Sequence, residues 1–502
     1  MKYIIVQAGG KGTRLKHLTK NKPKALVPVE NLPMLFHLFR KYPDKRFVII
    51  ADYHREVMRR YLSVFADVKY QVVDAVGTGT ASGLKQALDL IPEQEPFMLV
   101  WSDLILPKDL SLPEDYATDD MHPTEDYVGV SKTFPCRWKY ENGRFEEEAS
   151  TEYGVAGFFL FSEKAKVADV PESGELVRWM SEKEMKFSEI SLAGTREFGL
   201  IEEYEKLEQQ KTRPFNRIEI QGDRLTKYPV DAQGEGLAKR ECAWYEKAAA
   251  LKIEGLPKIY GTAPLSMELI HGKNVYECHL EKKERTEILK KLIGTLEELH
   301  HAKTVPADSF SLKEAYYNKT MSRIDRIEDL VPFARERVIR VNGRDCRNVF
   351  YHREELEKKL EDLTCERFAF IHGDCTFSNL MLREDLSPVL IDPRGYFGFT
   401  ELYGDVRYDW AKLYYSLAGN YDRFNLKDFS LEIGEKEISL SIASNGWEDL
   451  EDTFFELTGA DRYEIKLLHA VIWLSLSTYA WQDYDSVCGA FYNGLYYLEE
   501  IW

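Results

Sequence analysis

The sequence predicts an α/β domain built on a mostly parallel sheet, followed by a second domain of the α+β class. Three observations carry this reading. Apolar runs rich in β-branched residues at residues 3–6 and 47–51, with a third strand candidate at 68–73, alternate with charged helical segments such as residues 55–65, which is the rhythm of βαβ units. The chain has 502 residues, more than a single hydrophobic core normally serves. A charged helical stretch, residues 198–211, is broken by Thr212-Arg213-Pro214, and a strand-rich pattern starts afresh at residues 215–220 and 224–229. The expected domains are therefore 1–211 and 212–502.

Composition narrows the function classes. A 44% hydrophobic and 30% charged chain is ordinary for a globular protein. A net charge of −17 argues against a general nucleic-acid partner, because backbone phosphates would be repelled. Anionic substrates must then be met by local basic loops. The first residues, Met1-Lys2-Tyr3-Ile4, carry no signal-peptide pattern. The longest apolar tract, residues 467–481, is interrupted by His469, Ser475, Ser477 and Thr478 and reads as a buried helix rather than a membrane span. Seven cysteines without CxxC spacing suggest neither a disulfide framework nor a zinc site, so a reducing cytoplasm is the expected location. Nothing in the composition decides between a monomer and a homo-oligomer.

The first strand runs into Ala8-Gly9-Gly10-Lys11-Gly12-Thr13-Arg14-Leu15. Its glycines allow a tight turn that brings backbone N–H groups against an anion, and Lys11 and Arg14 add charge-assisted contacts. The spacing is neither GxxxxGK[ST] nor GxGxxG. Nine residues after Leu15 stands Lys24, within Pro23-Lys24-Ala25-Leu26-Val27-Pro28-Val29. Together AGGKGTRL and PKALVPV resemble the signature of the sugar-phosphate nucleotidyltransferases. The resemblance implies a Rossmann-like fold that joins a nucleoside triphosphate to a phosphorylated small molecule and releases pyrophosphate. It also implies that Ala8, Gly9, Gly10, Gly12 and Thr13 wrap the triphosphate. Arg14 would hold the leaving pyrophosphate, and Lys24 would neutralise charge at the attacked α-phosphate.

Farther along, Val76-Gly77-Thr78-Gly79-Thr80-Ala81-Ser82-Gly83 is a glycine-rich turn entering a helix at residues 84–90. By the same resemblance Gly77 and Thr78 contact the nucleobase; the competing reading is a helix N-terminus capped by Thr78 or Thr80. The buried run 97–102 ends in Asp103, an acid on the active edge of the sheet, where the family places a ligand for Mg²⁺. Two departures stand out. No Glu-Lys-Pro precedes the strand at residues 153–161, which leaves Lys132 and Lys139 as candidates for the acceptor phosphate. The position expected for a second metal acid holds Leu192, with Glu189 the nearest substitute.

In the second domain the central stretch is Phe370-Ile371-His372-Gly373-Asp374, continuing to Asn379, with Ile391-Asp392-Pro393-Arg394-Gly395 following. HGDxxxxN with an acid 13 residues beyond Asn379 resembles the catalytic and metal loops of the aminoglycoside phosphotransferase and choline kinase superfamily. The resemblance implies a protein-kinase-like, two-lobe α+β fold, with an N-lobe at about 212–270 and a C-lobe at about 271–502. Asp374 would accept the proton of a substrate hydroxyl, and Asn379 and Asp392 would hold the Mg²⁺ bound to ATP. Such a fold needs a strand lysine on the ATP phosphates oriented by a helix glutamate. Lys227 with Glu241 is the expected pair, Glu246 being the rival. Residues 267–270, with Glu268, look like the hinge that holds adenine. The aromatic C-terminal part (Tyr408, Trp410, Tyr414, Trp473, Tyr479 and others) reads as helical core, with room for a choline-like cation beside Asp405, Asp409, Asp483 or Asp485, or for a stacked sugar face.

The two halves suggest one reaction order. The kinase half phosphorylates a small-molecule alcohol with ATP. The nucleotidyltransferase half couples that phosphate, a sugar phosphate in the favoured reading, to a second NTP (CTP or UTP), giving an activated building block for a surface polysaccharide. A choline kinase joined to a phosphocholine cytidylyltransferase would have the same layout. A binding or regulatory protein with one inactive half is the alternative from another class.

Overall fold

The computed structural model describes residues 1–119, 122–206, 216–230 and 232–502, with backbone alone at 232 and 233. The chain divides into two compact units, Met1–Gln209 with Gln482–Asp485, and Gln210–Trp481 with Ser486–Trp502. The expected cut between 211 and 212 falls in 207–215, outside the described residues, as do the end of the helix expected at 198–211 and its Thr-Arg-Pro break. Within the described part that helix is short, Ile201–Glu205.

In the first unit nine strands form one sheet: β1 Tyr3–Gln7, β2 Arg46–Ala51, β3 Lys69–Asp74, β4 Phe97–Trp101, β5 Tyr127–Ser131, β6 Lys139–Glu141, β7 Arg144–Glu146, β8 Gly154–Phe161 and β9 Ser188–Ser191. The order is β7-β6-β8-β4-β1-β2-β3, with β5 also on β8 and β9 on β5. β3, β2, β1 and β4 are mutually parallel, whereas β8 runs antiparallel to β4. The sheet is thus mostly parallel at its centre and mixed at one side. Helices α1 (Met34–Lys41), α2 (Arg55–Phe65) and α3 (Leu84–Leu88) are the crossovers. α2 buries Met58, Tyr61 and Leu62, one stripe at helical spacing, and Phe39 of α1 meets Phe47 of β2 with ring centroids 4.7 Å apart. Gly157 (φ +76°) lies where the pairing of β8 with β5 shifts register; a side chain there would strike the Trp101 ring.

Parallel pairing sets the functional edge. Gln7, the last residue of β1, pairs with Trp101, the last of β4, so the loop after β1 and the turn bearing Asp103 leave the sheet side by side. A short antiparallel ribbon follows at once, Leu104–Ile105 with Arg196–Glu197.

The second unit opens on a four-stranded antiparallel sheet: β10 Asn216–Gln221, β11 Arg224–Pro229, β12 Ile259–Thr262 and β13 Leu265–Glu268, in the order β10-β11-β13-β12. Helix α4, Ala232–Ala250, lies between β11 and β12 in the chain. It starts before the Lys239 expected to open it. A mainly helical part follows, including α5 Lys282–Ala302 and α6 Lys319–Asp325, then strands β14 Arg367–Phe370, β15 Leu380–Arg383 and β16 Pro388–Leu390, and helices α7 Val406–Leu417 and α8 Arg462–Leu476. Buried Trp244 of α4 stacks on Phe370 of β14 at 5.1 Å and donates Nε1–H to the Ile371 carbonyl at 2.8 Å. That anchor ties the helix to the strand feeding the HGD segment. α8 ends five residues short of the tract expected to be helical through 481. Among the described residues no helix is long and apolar enough to cross a membrane. None of the seven cysteines forms a disulfide.

Candidate active sites

In the first unit the loop after β1 has a left-handed turn at Gly12 (φ +61°), whose missing side chain leaves room for Thr19 and Lys24 at about 3 Å. The two halves of the AGGKGTRL…PKALVPV signature are thereby packed against each other. Lys24 closes on Asp103 in a direct ion pair. The other carboxyl oxygen of Asp103, Oδ1, is buried without a hydrogen-bond partner. Glu197 stands on the same small surface. The ribbon sets it opposite Leu104, Phe198 N–H donates to the Asp103 carbonyl at 3.1 Å, and Glu197 and the Arg14 guanidinium flank Gly199. Burial, then the Asp103 charge, pushes the Glu197 carboxyl above the ordinary carboxylate value, against the pull of Lys24 and Arg14.

These residues fit a magnesium site. A hard cation takes carboxylate oxygens, and Mg²⁺ commonly uses one or two carboxylates, with substrate phosphates and water completing its shell. The orphaned Oδ1 of Asp103 is such a donor. Glu197, which feels the Asp103 charge and follows it across the ribbon, is a further candidate for the second acid in addition to Glu189. Glu189 lies on edge strand β9 and lines an open cavity of about 550 Å³ with Pro107, Asp109, Ser111 and Tyr127. The sequence missed Glu197 because the search followed the spacing to Leu192; the available signal was an acid three residues beyond Gly194.

The segment after β3 packs on residues 172–174. A side chain at Gly77 would meet the Glu172 carbonyl, Thr78 N–H donates to Ser173 Oγ at 3.0 Å, and the Thr78 carbonyl accepts from Gly174 N–H at 2.8 Å. Gly77 and Thr78 are exposed there. Neither Thr78 nor Thr80 caps α3, whose N-cap is Gly83. Gln7 adds a tether that sequence reasoning passed over: its amide donates to the Thr80 and Ser82 carbonyls, both at 2.9 Å. Of the acceptor candidates, Lys139 is taken up by Glu146 and Glu148 at 2.9 and 2.7 Å, and Lys132 sits over the Tyr153 ring.

In the second unit the expected lysine and glutamate meet: Lys227 Nζ of β11 is 2.6 Å from Glu241 Oε1 of α4, and it also pairs with Asp392. Burial alone would lower the Lys227 pKa, but the two carboxylates hold it above the ordinary lysine value. Asp392 adopts a left-handed backbone (φ +55°) just after β16. Asn379 Nδ2 donates to the Asp374 carbonyl at 2.8 Å and to its carboxylate at 3.2 Å, and Lys412 pairs with Asp374 Oδ1 at 3.0 Å. The Asn379 amide oxygen and the Asp392 carboxylate form a hard-oxygen donor set suited to Mg²⁺.

Fully buried Asp409 braces this loop. It accepts from His372 N–H (2.9 Å), Gly373 N–H (2.7 Å) and His300 Nε2 (2.9 Å). Burial would raise its carboxyl pKa, but His300 and the other donors keep it below the ordinary aspartate value. In the stretch expected to be the hinge, the Glu268 carboxylate forks onto Arg383 at 2.6 and 3.0 Å and its N–H donates to the Lys258 carbonyl at 2.8 Å. Of the acids expected beside the aromatic part, Asp405 caps α7 and pairs with Arg407, Asp409 braces the HGD segment as described, and Asp483 and Asp485 pair with Lys22.

Residues 3–123 match the family described as "Nucleotidyl transferase" and residues 237–427 the family described as "Phosphotransferase enzyme family". Among curated proteins the chain is 31% identical over 182 residues to the mannose-1-phosphate guanylyltransferase catalytic subunit beta of Dictyostelium discoideum, covering 32% of this chain and 50% of that one. It is 33% identical over 108 residues to the UTP–glucose-1-phosphate uridylyltransferase AglF of Haloferax volcanii, covering 20% and 43%. The chain thus spans half or less of the curated relatives it matches. Among solved structures, HddC from Yersinia pseudotuberculosis aligns with a TM-score of 0.35 at 19% identity, over 41% of this chain and 97% of that one. The CTP:phosphocholine cytidylyltransferase from Streptococcus pneumoniae aligns at 0.30 and 19%, with the same two coverages. This polypeptide therefore carries a nucleotidyl transferase domain followed by a domain of the phosphotransferase enzyme family.

Proposed function

We propose that the chain is a bifunctional enzyme whose second unit phosphorylates a small-molecule alcohol with ATP and whose first unit couples a phosphorylated compound to an NTP. The observation that carries the reading is that each unit gathers its own acids and cations into one cluster: Asp103, Glu197, Lys24 and Arg14 in one, and Asp374, Asn379, Asp392, Lys227 and Glu241 in the other. Both reactions are displacements at phosphorus, in which positioning and charge neutralisation do most of the work.

In the second unit the Asp374 carboxylate accepts the hydroxyl proton as the alcohol oxygen attacks the γ-phosphorus, while Lys227, oriented by Glu241, holds ATP phosphate oxygens. In the first unit a phosphate oxygen of the acceptor attacks the α-phosphorus of the NTP. Lys24 neutralises charge there, Arg14 holds the departing pyrophosphate, and the N–H groups of residues 8–13 cradle the chain of phosphates. Bound Mg²⁺ would offset phosphate charge in both sites. A sugar phosphate is the favoured compound for the first unit, and the nucleotide product would feed surface polysaccharide synthesis.

Complementation tests the order. The full chain is supplied with ATP, CTP or UTP, and panels of sugars, sugar acids, sugar phosphates and amino alcohols, and pyrophosphate is measured. Asp374→Asn is expected to abolish pyrophosphate release from the substrate of the second unit, and adding the product of that unit should restore it. Asp103→Asn should block release in both cases. A kinase product that the first unit never consumes would overturn the coupling.

A further inference from the structure

Four cations gather beside Asp374, three of them around one buried phenol. Lys319 and Arg323 project from α6, Lys412 and Tyr408 from α7, and Arg394 from the segment just after Asp392. Lys319 Nζ lies 5.5 Å and Lys412 Nζ 5.9 Å from the centre of the Tyr408 ring, and Arg394 donates to the Tyr408 hydroxyl at 3.4 Å. Arg323 is aimed by hydrogen bonds to the carbonyl and hydroxyl of Ser475 (2.8 and 2.9 Å), and its guanidinium lies 5.8 Å from the ring centre of Tyr479. Tyr479 is 44% exposed.

What the group lacks is negative charge. Lys412 pairs with Asp374 at 3.0 Å, but among the described residues no carboxylate forms an ion pair with Lys319, Arg323 or Arg394. The charges feel one another: burial, with Arg394, Arg323 and Lys412 nearby, depresses the Lys319 ammonium to about 8. The three cations that crowd Tyr408 outweigh the opposing effect of burial and bring its hydroxyl to about 7. Even with that phenol ionised and Asp374 charged, two negative groups face four cations. Isolated charges are not held half-buried at such density for stability alone; an uncompensated cation in a desolvated site is costly. Arginine forks and ammonium groups converging on one point are the means by which proteins take up phosphate or carboxylate oxygens.

We propose that this cluster is the acceptor subsite of the phosphotransferase unit and that it receives an alcohol already bearing a phosphate or carboxylate group. The inference rests on the kinase reading of this unit and deepens it. Lys319, Arg323 and Arg394 hold the anionic end of the acceptor, and the hydroxyl lies at Asp374. The oxygen forms a bond to the γ-phosphorus as the bond to the β-phosphate oxygen breaks, ADP departs, and the hydroxyl proton goes to Asp374. A quaternary ammonium alcohol is excluded by the same charges, which removes choline from the acceptor class.

Two measurements on the full chain test this. In the first, inorganic phosphate is titrated calorimetrically in the presence of saturating Mg-AMP-PNP. Binding should weaken at least tenfold in Lys319→Gln and in Arg323→Gln, and Arg323→Lys, which keeps the charge, should recover part of it; circular dichroism confirms the fold of each. In the second, ADP formation is followed with matched alcohols that are phosphorylated, carboxylated, neutral or cationic. A phosphorylated or carboxylated alcohol should be the preferred acceptor, the two arms separating the sources of the charge. The same variants should raise its KM at least tenfold without changing the KM for ATP. Equal phosphate affinity in the variants, or preference for a neutral or cationic alcohol, would overturn the proposal. Loss of Mg-AMP-PNP binding altogether would instead strike the kinase reading, and phosphate binding that still depends on Lys319 and Arg323 would leave the anion site standing.

Discussion

Replacing Asp409 with alanine isolates the support of the catalytic loop from its chemistry, because Asp409 touches neither reacting atom. In the folded chain its carboxylate accepts from three donors: two backbone N–H groups at 2.9 and 2.7 Å and His300 at 2.9 Å. The site is fully buried, so water cannot replace what is lost. A buried donor left without its partner costs about 1–3 kcal/mol. Three such donors predict a loss of at least about 3 kcal/mol, a large part of the roughly 5–15 kcal/mol that stabilises a typical domain. For a unit of this size that is a fall in melting temperature of roughly 6–12 °C. Asp409→Asn keeps one acceptor oxygen and should fall less. The assay is thermal unfolding of the full chain combined with hydrogen exchange, read by mass spectrometry, on a peptide spanning residues 368–378. The His372 and Gly373 amides should lose protection before the rest of the unit. A variant that melts with the parent and keeps those amides protected would refute the reasoning.

Glu197→Gln should weaken Mn²⁺ binding, followed by electron paramagnetic resonance with CTP or UTP present, on the order of tenfold, or ~1.4 kcal/mol. Glu189→Gln should leave it unchanged, and the reverse pattern would make Glu189 the second acid. Gly12→Ala must place a side chain in a left-handed turn about 3 Å from Thr19 and Lys24, so the thermal stabilisation given by CTP or UTP should fall sharply while ATP protection of the second unit persists. Tyr408 should titrate near neutrality, visible as tyrosinate absorbance at a midpoint of about 7 that Tyr408→Phe removes. Burial and Asp374 raise this phenol, whereas Lys319 of α6, Lys412 of α7 and Arg394 lower it further; Tyr316 and Phe397, packed on the ring, are not charged at that pH. Because its folded value lies below the ordinary phenol value, its contribution to stability is complete above pH 10 and disappears as pH falls through about 7. Phosphate binding should move that midpoint upward.

The parts of this molecule legible in the sequence are those fixed by local patterning. The run at residues 3–6 lies in β1 because β-branched residues covered on both faces favour a parallel strand, and the helix expected at 55–65 is Arg55–Phe65 because its apolar stripe has helical period. Lys227 and Glu241 are expected as a pair because the kinase-like fold that the HGDxxxxN resemblance implies has such a lysine and glutamate, with strand and helix as the only local guides. Glu197 was not legible, because its position is decided by the pairing of a two-residue ribbon with the turn after Asp103, a contact 93 residues apart in sequence. Nor was the Lys319–Arg323–Arg394–Lys412 cluster. Its members come from two helices and a loop, and each alone looks like one more surface charge in a chain that has 67 basic residues. The Glu268–Arg383 fork was not legible either, because a glutamate at a strand end gives no sign of the arginine it will meet across 115 residues.

The two sites share one device that neither half-sequence displays. In each, the lysine expected to bind phosphate rests on the aspartate expected to bind metal: Lys24 on Asp103, and Lys227 on Asp392. Such a pair holds the geometry of both groups before nucleotide arrives. Asp103 and Asp392 would hold the cation of a metal–nucleotide complex, and Lys24 and Lys227, paired with them in the free chain, would hold phosphate oxygens. The lysine should therefore compete with free metal and cooperate with nucleotide. Lys24→Met is expected to bind Mn²⁺ alone more tightly than the parent chain, yet to bind the metal–CTP or metal–UTP complex more weakly. Equal shifts in the same direction for both would mean that the ion pair is only a structural contact, and that the lysine plays no part in loading the site.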